Sequence, residues 1–174
     1  RDWSSDVCSS DLRVDDALRL IDEQITMYER VHDRKSVAAC HAEIADVLYS
    51  AGRHTEAEAV LRNSALPIFA EFGDQRAVAS CKTDLAHVLM GLRQHRAARE
   101  LLEQEVLGIL VDRRELALAR GAYADTFIGH GNIARALHER IEVQLPLLEP
   151  LDDKRASMRA CLALVDLLVC ADER

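Results

Sequence analysis

Along the chain, apolar residues recur every three or four positions, and short polar or Gly-containing stretches break the pattern. Val37, Cys40, Ile44, Val47 and Leu48 form one such stripe, the mark of an amphipathic helix with a single buried face. The breaks Ala51-Gly52-Arg53, Gly91-Leu92-Arg93-Gln94 and Gly129-His130-Gly131-Asn132 close three of these stripes. Glycine suits them because it tolerates positive φ. The pattern predicts eight helices, over 14–31, 34–50, 54–71, 75–91, 95–110, 113–129, 133–149 and 154–171, and no strand.

The helices are not eight independent segments. Asp33, Asp74, Asp112 and Asp153 are spaced by 41, 38 and 41 residues, each followed within two residues by Arg or Lys. The same 41-then-38 spacing relates Ala45, Ala86 and Ala124; Leu48, Leu89 and Phe127; Ala57, Ala98 and Ala136; and Leu66, Leu107 and Leu145. One three-residue deletion between Leu107 and Asp112 accounts for the change of spacing. LPIFAEFGDQR (66–76) returns as LPLLEPLDDKR (145–155), with a weaker copy, ITMYERVHDRK, at 25–35. Each unit is thus a pair of helices, and the Asp markers are placed to cap the first helix of each pair by accepting its free amide hydrogens. A pair of this size cannot bury its apolar face alone, so neighbours must stack.

The segments IADVLYSAGRHTEAEAVL (44–61) and YADTFIGHGNIARALHE (123–139) carry a large apolar residue, a small residue, a second large apolar residue, a Gly turn and an early Ala in the next helix. In this the chain resembles a tetratricopeptide repeat array. The matching residues are Ile44, Ala45, Leu48, Gly52 and Ala57, then Tyr123, Ala124, Phe127, Gly131 and Ala136; the middle unit departs from the pattern with Arg93 at the Gly position. The period exceeds the usual 34 or so and is similar to the long-helix variety of bacterial signalling ATPases and transcription activators. HEAT-like repeats share a period near 40, but the Gly turn and early Ala favour the first family. The resemblance implies an all-α fold, a right-handed α–α superhelix of about eight antiparallel helices over 13–174.

Two stretches stand apart. Arg1–Leu12, RDWSSDVCSSDL, shares no pattern with the rest. Back-translated, it resembles a short-read sequencing adapter primer in one frame, so 1–12 is expected to be a non-native or disordered tail. At the other end, Asp153–Arg174 supplies a first helix without a second. That leaves Leu162, Leu164, Val165, Leu167, Leu168 and Val169 without a partner and predicts an array truncated at both ends, open to self-association through its last helix.

Composition narrows the function classes. Of 174 residues, 49% are hydrophobic and 4% aromatic, with a net charge of -8. The apolar content is that of a folded chain. The acidic balance speaks against direct nucleic-acid binding, and no apolar run approaches a membrane span. Cys40 and Cys81 share one repeat position, so they read as small apolar packing residues. There is no metal-binding Cys/His spacing, no phosphate loop and no G-x-S-x-G context. No enzyme activity, cofactor or metal is therefore expected, and reduced thiols fit a cytoplasmic setting. His54 and His95 fall at equivalent turn positions, and His130 within a Gly-rich turn.

What remains is the concave face, which the resemblance assigns to the first helices. The register puts Ala39, Ala42, Asp46 and Tyr49 there, then Ser80, Thr83, His87 and Met90, then Leu118, Gly121, Asp125 and Ile128, then Arg159, Leu162 and Asp166. The candidate partner-binding residues are Asp46, Tyr49, Thr83, His87, Met90, Asp125 and Ile128. Small, apolar and acidic groups suit an apolar or mildly basic peptide or helix, and the set lacks the Lys, Arg and Asn of a carboxylate clamp. The expected role is a protein-interaction scaffold within a larger protein. The alternative is the sensor or regulatory arm of a bacterial signalling ATPase, a cyclic-nucleotide enzyme or a transcription activator.

Overall fold

The structure, a computed structural model, describes residues 4–129, 131–151 and 153–172, with side chains over 13–169 apart from 130 and 152. The described residues form eight helices and no strand. They are α1 (Ser4–Arg30), α2 (Arg34–Ser50), α3 (54–71), α4 (Gln75–Gly91), α5 (His95–Glu105), α6 (Arg113–Ile128), α7 (133–151) and α8 (Lys154–Asp172). Two compact units hold them: 1–92 with α1 to α4, and 93–174 with α5 to α8. Within each unit every helix packs against the one before it. Of the segment read as adapter-derived, 1–3 lie outside the described residues; the helix backbone continues through 4–12, which does not bear on the origin of those codons.

The Asp markers do what their spacing predicts. Asp33 accepts from the Ser36 amide at 3.1 Å, Asp74 from Ala77 at 3.0 Å, Asp112 from Arg114 and Glu115 at 3.0 and 3.1 Å, and Asp153 from Ala156 at 3.0 Å. Two caps are also bridged to the preceding repeat by the same element. Lys35 reaches Asp74 at 2.5 Å, and Arg114, its register equivalent, reaches Asp153 at 2.8 Å. The Ser36 hydroxyl and amide hold the Asp33 carboxyl below the usual range, Lys35 and the Ala77 amide do so for Asp74, and the Ala156 amide with Arg114 does so for Asp153. The caps Asp33, Asp74 and Asp153 are therefore ionised at neutral pH, and the stability these three lend is lost only as acid protonates them.

Helix ends recur as faithfully as helix starts. The amides of Asp33, Arg53, Asp74 and Asn132 each reach back five residues, to the carbonyls of Tyr28, Leu48, Phe69 and Phe127. This is the closure of a Schellman turn, and it needs a left-handed residue just before the donor. His32, Gly52, Gly73 and Gly131 fill that role with φ of 58°, 76°, 65° and 71°. The middle unit has Arg93 there, at φ 63°, in a region where a Cβ costs about 1 kcal/mol. Arg93→Gly is therefore expected to stabilise the chain by about 0.5 kcal/mol, the gain being trimmed by the freer unfolded glycine. A urea midpoint that falls would show that the arginine is not strained.

The second helices carry a feature absent from the expectations. α3 runs His54–Val60, then a π-helical turn Leu61–Ala65, then Leu66–Glu71. α7 repeats the plan with Ile133–His138, a π-helical Glu139–Gln144, Leu145–Leu148 and a 3-10 turn Glu149–Leu151. Both π turns directly precede a Leu-Pro pair, Leu66-Pro67 and Leu145-Pro146. A mid-helix proline has no N–H and collides with the carbonyl four residues back, and widening the preceding turn relieves both problems. Accordingly Leu66 donates to Leu61 and Leu145 to Arg140, five residues back instead of four. Leu107 makes the equivalent bond to Leu102 at 2.9 Å, but Gly108 follows it instead of proline. There α5 ends at Glu105, short of the predicted 110, because glycine and the three-residue deletion remove the turns that would extend it.

The core is the repeat register made physical. Ala45, Ala86 and Ala124, and Ala57, Ala98 and Ala136, are all buried, as are Leu48, Leu89 and Phe127. Cys40, Cys81, Ala119 and Ala160 share a position and are likewise buried. Burial pushes the Cys81 thiol up to about 12, so it packs as an inert apolar group. Cys161, one residue off this register, is exposed.

Candidate functional site

The candidate residues lie on first helices, Asp46, Tyr49, Thr83, His87 and Met90 in the first unit and Asp125 and Ile128 in the second. In the first unit, α2 exposes Asp46 and Tyr49, and α4 presents His87 and Met90, both half-buried. Thr83 does not belong with them. It is buried, and its hydroxyl donates back to the Ala79 carbonyl at 3.0 Å, so it serves packing within α4. Beside Asp46, α1 and α2 enclose a hollow of about 610 Å³ lined by Val14, Ala17, Asp46, Val47 and Ser50 among others.

Asp84, absent from the expected set, joins this face. It lies one turn before His87 on α4 and is mostly buried. Desolvation, with the neighbouring Asp46 charge, pushes its carboxyl up to about 7. Asp46 is raised for the same first reason and is opposed by His87, which favours its ionised form. Asp46 on α2 thus interacts electrostatically with two side chains of α4, Asp84 and His87. The sequence held no sign of this, since the register counterparts of Asp84 are Glu43 and Ala122 and burial cannot be read from residue type.

In the second unit the register equivalents Asp125 and Ile128 sit on α6, with Ile128 exposed. Asp125 is engaged from behind. Arg140 of α7, only 5% exposed, binds its carboxylate and donates to Gln144 at 2.9 Å. Gln144 in turn donates to the Ala117 carbonyl at 3.1 Å. Its amide lies over Gly121, where a Cβ would overlap it, so Gly121 is a packing residue and not part of an open face. Glu139, also buried, pairs with Arg135 at 2.9 Å and Arg120 at 3.4 Å. The signal for this network was present in the register. Glu139, Arg140 and Gln144 stand where the earlier units have Val60, Leu61 and Ala65, and Leu101, Leu102 and Val106.

The histidines have a packing role. The His54 ring lies 2.9 Å from where a Cβ on Gly91 would be, and the His95 ring covers Gly129 in the equivalent contact. These glycines, read as turn residues, instead seat an imidazole at the helix end, while Gly52 and Gly131 make the turns. His130 and Asp152 lie outside the described residues. Among the described residues no group of three His, Cys, Asp or Glu is arranged to hold a metal ion, and no helix is long and apolar enough to cross a membrane.

No protein-family model matches the sequence, and no curated protein matches it.

Proposed function

We propose that the chain is a protein-binding helical-repeat scaffold of tetratricopeptide kind, whose first helices offer a face to an apolar or mildly basic peptide or helix. One observation carries the reading. At a single repeat position, Tyr49, Met90 and Ile128 are large apolar side chains left at least partly exposed, although the positions one residue before them, Leu48, Leu89 and Phe127, are buried. One helical turn before each of them, on its own helix, stands Asp46, His87 or Asp125. Apolar contact area with adjacent negative charge suits a partner carrying apolar anchors and scattered Lys or Arg. The free cysteines Cys40, Cys81 and Cys161 fit a cytoplasmic setting, and the role requires no chemistry from the chain itself.

The test is selection of peptides from a random library on the full chain, followed by amide chemical-shift mapping. The expected binders are apolar with net positive charge, and the perturbed amides include Asp46, Tyr49, His87 and Met90 on α2 and α4 of the first unit. Tyr49→Ala together with Met90→Ala then weakens binding at least tenfold. Binders that perturb only second helices, or no enrichment at all, would contradict the proposal.

A further inference from the structure

His54 begins α3, and α3 packs on both α2 and α4. Its ring lies between the ends of those two first helices. On one side it meets Tyr49, the last residue but one of α2, with ring centres 5.2 Å apart and planes inclined at 46°. On the other it meets Gly91, the last residue of α4. A Cβ on Gly91 would stand 2.9 Å from Cε1, Nδ1 and Nε2 alike. Equal distances to three ring atoms mean that the imidazole lies face-on to α4, in space that only glycine leaves open.

The ring serves as a flat surface. Its Nδ1 is buried and has no hydrogen-bond partner among the described residues, so what the site uses is the shape of the ring and not its polar atoms. The same plate recurs in the second unit, where the His95 ring covers Gly129. In the first unit its position bears on the proposed binding face. Tyr49 touches the ring directly, and Met90 immediately precedes the glycine on which the ring is seated. An aromatic ring is one van der Waals layer thick, about 3.5 Å. In a close-packed region such a spacer cannot be removed without the helix ends shifting or a void opening.

We infer that His54 is a positioning residue of the partner-binding face, a plate that sets the separation of the helix ends carrying Tyr49 and Met90 and thereby the spacing of apolar anchors that a partner must present. The inference rests on the reading of the first helices as the binding face. It adds that specificity within the first unit is held by a second-helix residue that need not touch the partner.

The experiment measures binding of the tightest peptide selected on the wild-type full chain, with helix content and urea midpoint recorded for every variant. His54→Ala is expected to weaken binding about fivefold, the scale of one aromatic contact. His54→Phe restores a flat ring without the buried nitrogen and is expected to bind within about twofold of wild type. Gly91→Ala leaves the helix intact and pushes only on the ring, so it weakens binding by itself but has no further effect when added to His54→Ala. A second readout needs no partner: the Tyr49 ring resonances of the free chain are expected to shift in His54→Ala and in Gly91→Ala. Wild-type affinity in His54→Ala, failure of His54→Phe to restore binding, or a full additional loss from Gly91→Ala in the His54→Ala background would overturn the inference and leave the reading of the face standing. Tyr49 resonances unmoved in both single variants would overturn it whether or not a peptide is found. A wild-type chain that binds no peptide would overturn the reading of the face and this inference with it.

Discussion

Asp84→Asn is expected to stabilise the protein by about 3 kcal/mol at pH 8, an unusual sign for a substitution within a packed helix. The sign follows from linkage. The Asp84 carboxyl rises on folding from 3.8 to about 7, so the fold favours its protonated form. Below about pH 3 both folded and unfolded chains are protonated at this site and the group costs nothing. As pH rises the unfolded chain ionises first, and stability falls until the folded carboxyl has ionised as well, above about pH 7. Asparagine keeps the shape and removes the charge. The difference between variant and wild type, from urea unfolding, should therefore be near zero at about pH 3, intermediate at about pH 5 and largest at about pH 8. A pH-independent offset, or a loss at pH 8, would show that the carboxylate is held as an anion by its surroundings.

Asp125→Ala is expected to cost about 2–3 kcal/mol, while Arg140→Leu, at the other end of the same ion pair, changes stability by less than about 1 kcal/mol. The asymmetry comes from burial. Removing Asp125 leaves the Arg140 guanidinium sealed in the second unit with Gln144 as its remaining hydrogen-bond acceptor among the bonds described. Removing Arg140 frees a carboxylate whose side chain is 35% exposed and can be hydrated. It also installs the leucine that the first two repeats carry at this position. The first figure is set below the full loss for a buried pair because water already reaches Asp125. Equal effects of the two substitutions would contradict this account of the network.

How far the sequence reached can be judged from these residues. The eight helices, their caps and most of their ends were legible because a repeat states each local rule several times. One Asp before a helix is a weak signal, but four at spacings of 41, 38 and 41 leave little freedom. The π turns were less legible. Pro67 and Pro146 were visible, but the pattern of apolar positions continues past them, and only backbone geometry shows how the clash is absorbed. α5 ends early because Gly108 and a deletion act together, whereas periodicity alone extends it to 110. At the candidate face, register placed Asp46, Tyr49, His87, Met90, Asp125 and Ile128 on first helices, but it could not say which way Thr83 turns or that Arg140 holds Asp125 from behind. Asp84 was missed because its character comes wholly from desolvation. Glu139, Arg140 and Gln144 were recoverable, since three polar residues at positions apolar or small elsewhere are a departure that the alignment of repeats displays.

The central claim is that successive hairpins repeat the same packing, position for position. Amide hydrogen exchange on the full chain tests it most directly. The account predicts equally slow exchange at Ala45, Ala86 and Ala124, and slow exchange through the π turn at 61–65. Fast exchange at any one of the three alanines while the other two are protected would contradict it.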